Sequence, residues 1–274
     1  MIGVYDYTVL LTYLSLLSAG GGIVVSLNGA GHPYWGCFFL LLCGLFDAFD
    51  GKVARTKKNR TQLECNFGIQ IDSLCDLVAF GVLPACIGAA MMRRSSFLRD
   101  TVRIDDGILV TNIIRVILFM ILILYILAAL IRLAYFNVTE EERQKTEGGV
   151  RKYYTGVPVT AASLIFPLVL LIQYVTPFDV TLLYFGTIIL MGFLFLSKIQ
   201  VRKPGMRGIL ILILIGVLEV VTLFGFWMFF HKKEWKEKSA KEHNTEKVLS
   251  ADSLKTSLQA DIFFCELPGT DRHL

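Results

Sequence analysis

The sequence predicts an all-α polytopic membrane protein, and three observations carry that prediction. The 274 residues are 54% hydrophobic and only 18% charged, whereas water-soluble domains average about 25% charged. The apolar residues are gathered into long runs, and a run of about 20 is what a bilayer core of roughly 30 Å demands of a helix. Within those runs apolar and polar residues do not alternate as they would along the strands of a β-barrel.

Hydropathy marks seven spans, near 8–27, 33–54, 69–92, 109–136, 157–175, 179–197 and 207–230. The first has no basic stretch before it and no cleavage pattern after it, so it reads as a retained span rather than a removed signal. The second and third flank a short hydrophilic segment and are expected to be antiparallel neighbours. The fourth to sixth follow as long apolar runs, and the seventh precedes a polar tail over 231–274 in which disorder is expected. The chain thus divides into a transmembrane catalytic domain over 1–205, one additional transmembrane helix over 206–230 and the tail. No internal repeat is visible.

Charge placement gives the orientation. Lys52, Arg55, Lys57, Lys58 and Arg60 follow the second span, and Lys198, Arg202, Lys203 and Arg207 follow the sixth. The positive-inside rule puts that side, and the N-terminus with it, in the cytoplasm. Arg93, Arg94, Arg99 and Arg103 after the third span oppose this, as do the lysines opening the tail. A net charge of +4 is no nucleic-acid signal. The six cysteines have no paired spacing and read as small buried hydrophobes.

Two spans carry acids at helical spacing. The second ends Leu45-Phe46-Asp47-Ala48-Phe49-Asp50-Gly51-Lys52-Val53-Ala54-Arg55, and the third begins Gly68-Ile69-Gln70-Ile71-Asp72-Ser73-Leu74-Cys75-Asp76. Asp47, Asp50, Gly51 and Ala54 share one helix face, and Gly68, Asp72, Asp76 and Phe80 share another. If the helices are neighbours, the acidic faces meet. Four carboxylates there need compensation, because one charge in a low-dielectric region costs several kcal/mol. Protonation would supply it, and so would divalent metal; an all-oxygen set suits Mg²⁺, Mn²⁺ or Ca²⁺ rather than zinc or copper. Four acids are enough for two ions about 3.5–4 Å apart, the arrangement that clamps a transferring phosphoryl group. Gly51, Ala54 and Gly68 leave the helix surface bare where a nucleotide or pyrophosphate can approach closely.

The pattern Asp47-x2-Asp50-Gly51-x2-Ala54-Arg55 … Gly68-x3-Asp72-x3-Asp76 resembles the signature of the CDP-alcohol phosphatidyltransferases, membrane enzymes that pass a phosphatidyl group from a CDP-linked lipid to an alcohol and release CMP. Twelve residues separate Arg55 from Gly68, more than the family pattern has, and a longer cytoplasmic loop is expected to absorb them. The run Asp72 to Ala85, the segment Arg132-Leu133-Ala134-Tyr135-Phe136-Asn137 and the segment Tyr154-Thr155-Gly156-Val157-Pro158 are similar to the bacterial and archaeal members that use L-serine. Many of those carry Arg where this chain has Tyr135.

The resemblance covers about residues 8–205. It implies a six-helix core, a homodimer, and a multi-pass enzyme of the cell membrane with its active site at the cytoplasmic face. It implies Asp47, Asp50 and Asp72 as ligands of Mg²⁺ or Mn²⁺, Asp76 as both ligand and general base, Gly51, Ala54 and Gly68 at the cytidine diphosphate, and Arg55 near the diphosphate. The substrates it implies are CDP-diacylglycerol and L-serine, with direct attack of the hydroxyl on the β-phosphorus; no Ser-His or Cys-His pairing argues for a covalent intermediate.

Acceptor recognition needs a cation for the serine carboxylate. Arg132, Asn137, Arg151 and Lys152 fall on the same side as the aspartates. Arg132 leads, because an unpaired Arg inside an apolar helix is costly, although a helix-end Arg also reaches the interface with its head alone. Lys57, Lys58 and Arg60 read as a topology signal or headgroup contact. Two other readings stand beside serine transfer. One is the same chemistry with glycerol 3-phosphate or an inositol derivative. The other is a divalent-cation channel or transporter, against which the acids cluster at one membrane face and not along a pore.

Overall fold

A computed structural model describes residues 3–28, 33–95, 98, 107–146, 153–175, 179–202, 208, 211–222, 225 and 228. Two compact units divide the chain, Met1–Leu223 and Phe224–Leu274. In the second only residues 225 and 228 are described, both helical, so the predicted tail over 231–274 lies outside the described residues.

The first unit is a stack of helices. α1 (Leu10–Leu27) follows a single 3-10 turn at Tyr7–Val9, which Asp6 caps by accepting from the Tyr7 N–H at 2.8 Å. α2 (Pro33–Ala54) packs along α1 more extensively than any other pair. Small residues set that approach: a Cβ on Gly22 would come 2.8 Å from Cβ of Phe39 and 2.9 Å from Leu83. Ser18 also bridges the two helices, donating to the Phe39 carbonyl at 3.1 Å.

α3 (Gln62–Arg94) is one long helix with a π-helical stretch at Leu77–Val82. Pro84 explains the irregularity. It has no N–H to return to the preceding turn, and its ring crowds the carbonyl four residues back. That carbonyl belongs to Phe80, and the Tyr125 hydroxyl donates to it at 2.7 Å.

α4 (Gly107–Thr146) is 40 residues long, about 60 Å at 1.5 Å per residue. It supplies Tyr125 to an aromatic cluster with Phe166, Tyr184 and Phe195, at centroid separations of 5.8 Å to Phe166 and 5.7 Å to Phe195. Phe166 lies in α5 (Ala162–Val175), and the other two lie in α6 (Thr181–Leu196). A short antiparallel pair, β1 (Tyr153–Thr155) with β2 (Gln200–Arg202), ties the entry of α5 to the exit of α6. Gly156, at φ +82°, makes the turn from β1 towards α5. α7 (Ile211–Thr222) follows as a further apolar helix of the first unit.

This is the all-α polytopic architecture that hydropathy predicts. Among the described residues three helices are long and apolar enough to cross a membrane: Tyr7–Leu27, Gln62–Arg94 and Val110–Arg143. α2 has the length at 22 residues but carries Asp47, Asp50 and Lys52; α5, α6 and α7 are shorter apolar helices. Three boundaries differ from the hydropathy reading. α3 begins at Gln62 rather than at 69, because Thr61 and Glu64 form a capping box that starts a helix in polar sequence. α4 continues past 136 to Thr146, along charged residues that helical propensity carries forward. α5 starts at Ala162 rather than 157, since β1 and the Gly156 turn occupy the approach. The longer loop expected after Arg55 is therefore half helix: residues 56–61 connect, and 62–67 add turns to α3.

Candidate active site

The α2–α3 connection is short and fastened at both ends, which holds the two acidic faces together. Thr61 accepts from the Glu64 N–H at 3.2 Å, and Glu64 accepts from the Thr61 N–H at 2.9 Å. Lys57 then bridges Glu64 at 2.9 Å and Asp6 at 2.7 Å, pinning the connection to the start of α1. The bond to Lys57 holds the Asp6 carboxyl below its ordinary value, and the bonds to Asp6 and then Glu64 hold the Lys57 ammonium above its own.

With the helices so placed, Asp47, Asp50 and Asp72 each offer a carboxylate oxygen within 4.8 Å of the others. Asp76, one turn beyond Asp72, lies against Asp47. All four are partly buried. Among the described residues no lysine or arginine forms an ion pair with any of them. That is the donor set of a hard divalent cation. Oxygens bound to one Mg²⁺ at about 2.1 Å stand at most about 4.2 Å apart, so the observed spread fits with little adjustment. The residues present therefore fit a divalent metal.

Beside the acids a cleft of about 140 Å³ is lined by Thr8, Val9 and Thr12 from the first element, Asp50, Gly51 and Ala54 from α2, and Arg60, Cys65, Gly68, Ile69 and Asp72 around α3. Each of the glycines and the alanine expected at a nucleotide is thus on the wall. Arg55 is exposed and is not among the lining residues; its Nη2 lies 3.8 Å from where a Cβ on Gly51 would be.

The acceptor candidates separate. Asn137 donates to Ser73 Oγ at 2.7 Å, which sets it against α3 one residue from Asp72. Arg132 is buried at 6% exposure and donates to the Val157 carbonyl at 3.3 Å and the Gly156 carbonyl at 3.5 Å, with its guanidinium over the Phe136 ring. It ties α4 to the approach of α5. Arg151 and Lys152 lie outside the described residues.

Three lining side chains escape sequence reasoning. Thr8 and Thr12 are buried at 3% and 5% exposure; their spacing of four in an otherwise apolar run is a signal that could have marked a shared face. Arg60, read from sequence as a topology or headgroup charge, lines the cleft instead. The capping box immediately after it was the available clue, because a helix starting at Gln62 turns the preceding residue back over α3.

This geometry has two neighbouring helices pooling acids that could hold a divalent metal beside a cleft of bare backbone. Residues 8–196 match the CDP-alcohol phosphatidyltransferase family, and the chain belongs to it. It is 35% identical over 156 residues to CDP-diacylglycerol–serine O-phosphatidyltransferase of Saccharomyces cerevisiae, covering 54% of this chain and 48% of that one. It is 32% identical over 154 residues to archaetidylserine synthase of Methanothermobacter thermautotrophicus, covering 55% and 53%. It is 26% identical over 216 residues to CDP-diacylglycerol–serine O-phosphatidyltransferase of Helicobacter pylori, covering 73% and 78%. The chain thus spans about half the length of the yeast and archaeal relatives it matches.

Proposed function

We propose that the protein transfers the phosphatidyl group of CDP-diacylglycerol to L-serine, giving phosphatidylserine and CMP. The observation that carries this reading is the meeting of Asp47, Asp50 and Asp72 within 4.8 Å, next to a cleft walled by Gly51, Ala54 and Gly68. The serine assignment draws on the names of the yeast and Helicobacter pylori relatives and on the segments shared with serine-using members.

In this mechanism Asp47, Asp50 and Asp72, with Asp76, would hold two divalent ions, Mg²⁺ or Mn²⁺. Bound there, the metal supplies neutralisation of the charge that develops on the diphosphate. Gly51, Ala54 and Gly68 let the nucleotide lie close to the helix backbone. Asp76 accepts the proton of the serine hydroxyl as its oxygen bonds to the β-phosphorus; the bond from that phosphorus to the bridging oxygen breaks, and CMP leaves with the electron pair. Asn137, held on Ser73 near the acids, would meet the acceptor. The cleft faces the cytoplasm of the cell membrane, and two copies form the working dimer.

The test is CMP release by the full chain in detergent, with CDP-diacylglycerol and Mn²⁺ or Mg²⁺ and with serine, glycerol 3-phosphate or an inositol derivative offered in turn. Release with serine is expected. Release only with another acceptor would overturn the serine assignment, and no release with any alcohol would overturn the enzyme reading.

A further inference from the structure

We propose that Arg60 grips the diphosphate of the nucleotide-linked lipid, a role that rests on the phosphatidyl-transfer reading above. Arg60 lines the same cleft as Asp50 and Asp72, yet among the described residues it forms an ion pair with neither. A cation and two carboxylates facing one space without touching leave room for a ligand that answers both. A metal-bound diphosphate would do so: the carboxylates would hold the metal, and the guanidinium would meet the phosphate oxygens.

The donors are available. A guanidinium has five N–H groups. Arg60 gives one from Nη2 to the Glu64 carbonyl at 3.3 Å, while its Nε is shielded from solvent and has no hydrogen-bond partner among the described residues. The acid within reach by sequence is already engaged, since the Glu64 carboxylate accepts from Lys57 and from the Thr61 N–H. The charge of Arg60 is therefore left for the cleft. Its position is fixed on both sides, by the Thr61–Glu64 cap that follows it and by the Lys57 bridge that precedes it.

Gly68 is what admits the side chain. A Cβ there would stand 2.9 Å from Arg60 Nη2, so any larger residue would push the guanidinium off the wall. Arg55, by contrast, is exposed and outside the lining. The extra residues between Arg55 and Gly68 bend the connection so that a cation five positions further on covers the cleft. A planar fork that binds phosphate oxygens in pairs is also a role lysine fills less well.

The experiment uses the full chain in detergent as wild type, Arg60→Gln and Arg60→Lys. It reads KM for CDP-diacylglycerol and kcat at saturating serine, the thermal midpoint without ligand, and the rise in that midpoint caused by CDP with Mn²⁺. Loss of a charge-assisted pair of bonds predicts about a tenfold or greater rise in KM for Arg60→Gln, with kcat less affected. The CDP-induced rise should shrink while the unliganded midpoint holds, and Arg60→Lys should fall between. An unchanged KM and CDP response in Arg60→Gln would overturn the proposal. So would a fall in the unliganded midpoint that accounts for the whole effect and is not relieved by Lys, because that marks a purely structural loop residue. Should the wild type release no CMP, the transfer reading fails, and the CDP response of wild type against Arg60→Gln still decides the role of Arg60.

Discussion

The two sides of the helical unit treat their polar groups in opposite ways. Around α4, α5 and α6 the large polar side chains are bound to backbone, although Thr111 Oγ1 has no partner among the described residues: Tyr125 donates to the Phe80 carbonyl at 2.7 Å, Tyr184 to the Pro84 carbonyl at 2.8 Å, and Arg132 to the carbonyls of Gly156 and Val157. At the α2–α3 end four carboxylates face one another with no cation paired to them among the described residues, and Arg60 keeps an unused donor. Burying polar groups unsatisfied costs free energy. The groups left open at the α2–α3 end are the ones a bound ligand would complete, given the acids gathered there. The two arginines show it in miniature, for Arg132 is bound up in the scaffold and Arg60 is turned to the cleft.

Substitutions can break that contrast. The largest effect is expected at Asp76→Asn, which keeps shape and removes the proton acceptor: CMP release should fall about a thousandfold, while CDP-diacylglycerol still binds. Turnover near that of the wild type would remove Asp76 as base. Arg132→Ala comes next and belongs to stability. It leaves two carbonyls without their donor, a loss of about 1–3 kcal/mol, read as a fall in the thermal midpoint of the detergent-solubilised chain. A change confined to KM for serine, with the midpoint held, would instead place Arg132 at the acceptor. Tyr125→Phe removes only one donor, so about 1 kcal/mol is expected. Because that donor serves the irregular stretch directly after Asp76, a fall in kcat larger than the stability loss would show that the π-helical stretch positions the base.

The smallest effect concerns the bridge that pins the α2–α3 connection. Asp6 sits below its ordinary value of 3.8 through its bond to Lys57, and Lys57 sits above 10.5. The contribution of Asp6 is fully present above 3.8 and is lost as pH falls through its depressed value. That of Lys57 is fully present below 10.5 and is lost as pH rises through its elevated one. Glu64, held below its ordinary 4.5 first by the same lysine, adds to the acid limb, so the difference in thermal midpoint between wild type and Lys57→Gln should be flat between 4.5 and 10.5 and shrink outside them. The Asp6 and Lys57 side chains are only about a quarter exposed yet lie at the solvent-facing rim, so the difference is small and should weaken further in salt.

Much of this was legible in the sequence for definite reasons. The acids announce themselves because helical spacing converts directly into a shared face, and Asp47, Asp50 and Asp72 do meet. Gly51, Ala54 and Gly68 were legible as bare surface and do line the cleft. What hydropathy could not show was where helices begin in polar sequence. The start of α3 at Gln62 depends on a reciprocal Thr61–Glu64 cap, a local hydrogen-bond device with no apolar signature. Arg60 was missed with it, since a basic residue in a connection looks like a topology charge until the connection is seen to fold back. Arg132 was singled out, but its contacts were not legible. Its partners are backbone carbonyls of Gly156 and Val157, which no residue identity reveals.

The open carboxylates are the centre of the account, and binding of Mn²⁺ to the purified chain, followed by its electron paramagnetic resonance signal, tests them most directly. The wild type should bind Mn²⁺ saturably, and the Asp50→Asn/Asp72→Asn double variant, which keeps the shape of the site, should lose that binding while its thermal midpoint without metal does not fall. Equal Mn²⁺ affinity in the two proteins, or a metal-free double variant that has unfolded, would contradict a quartet held open for metal.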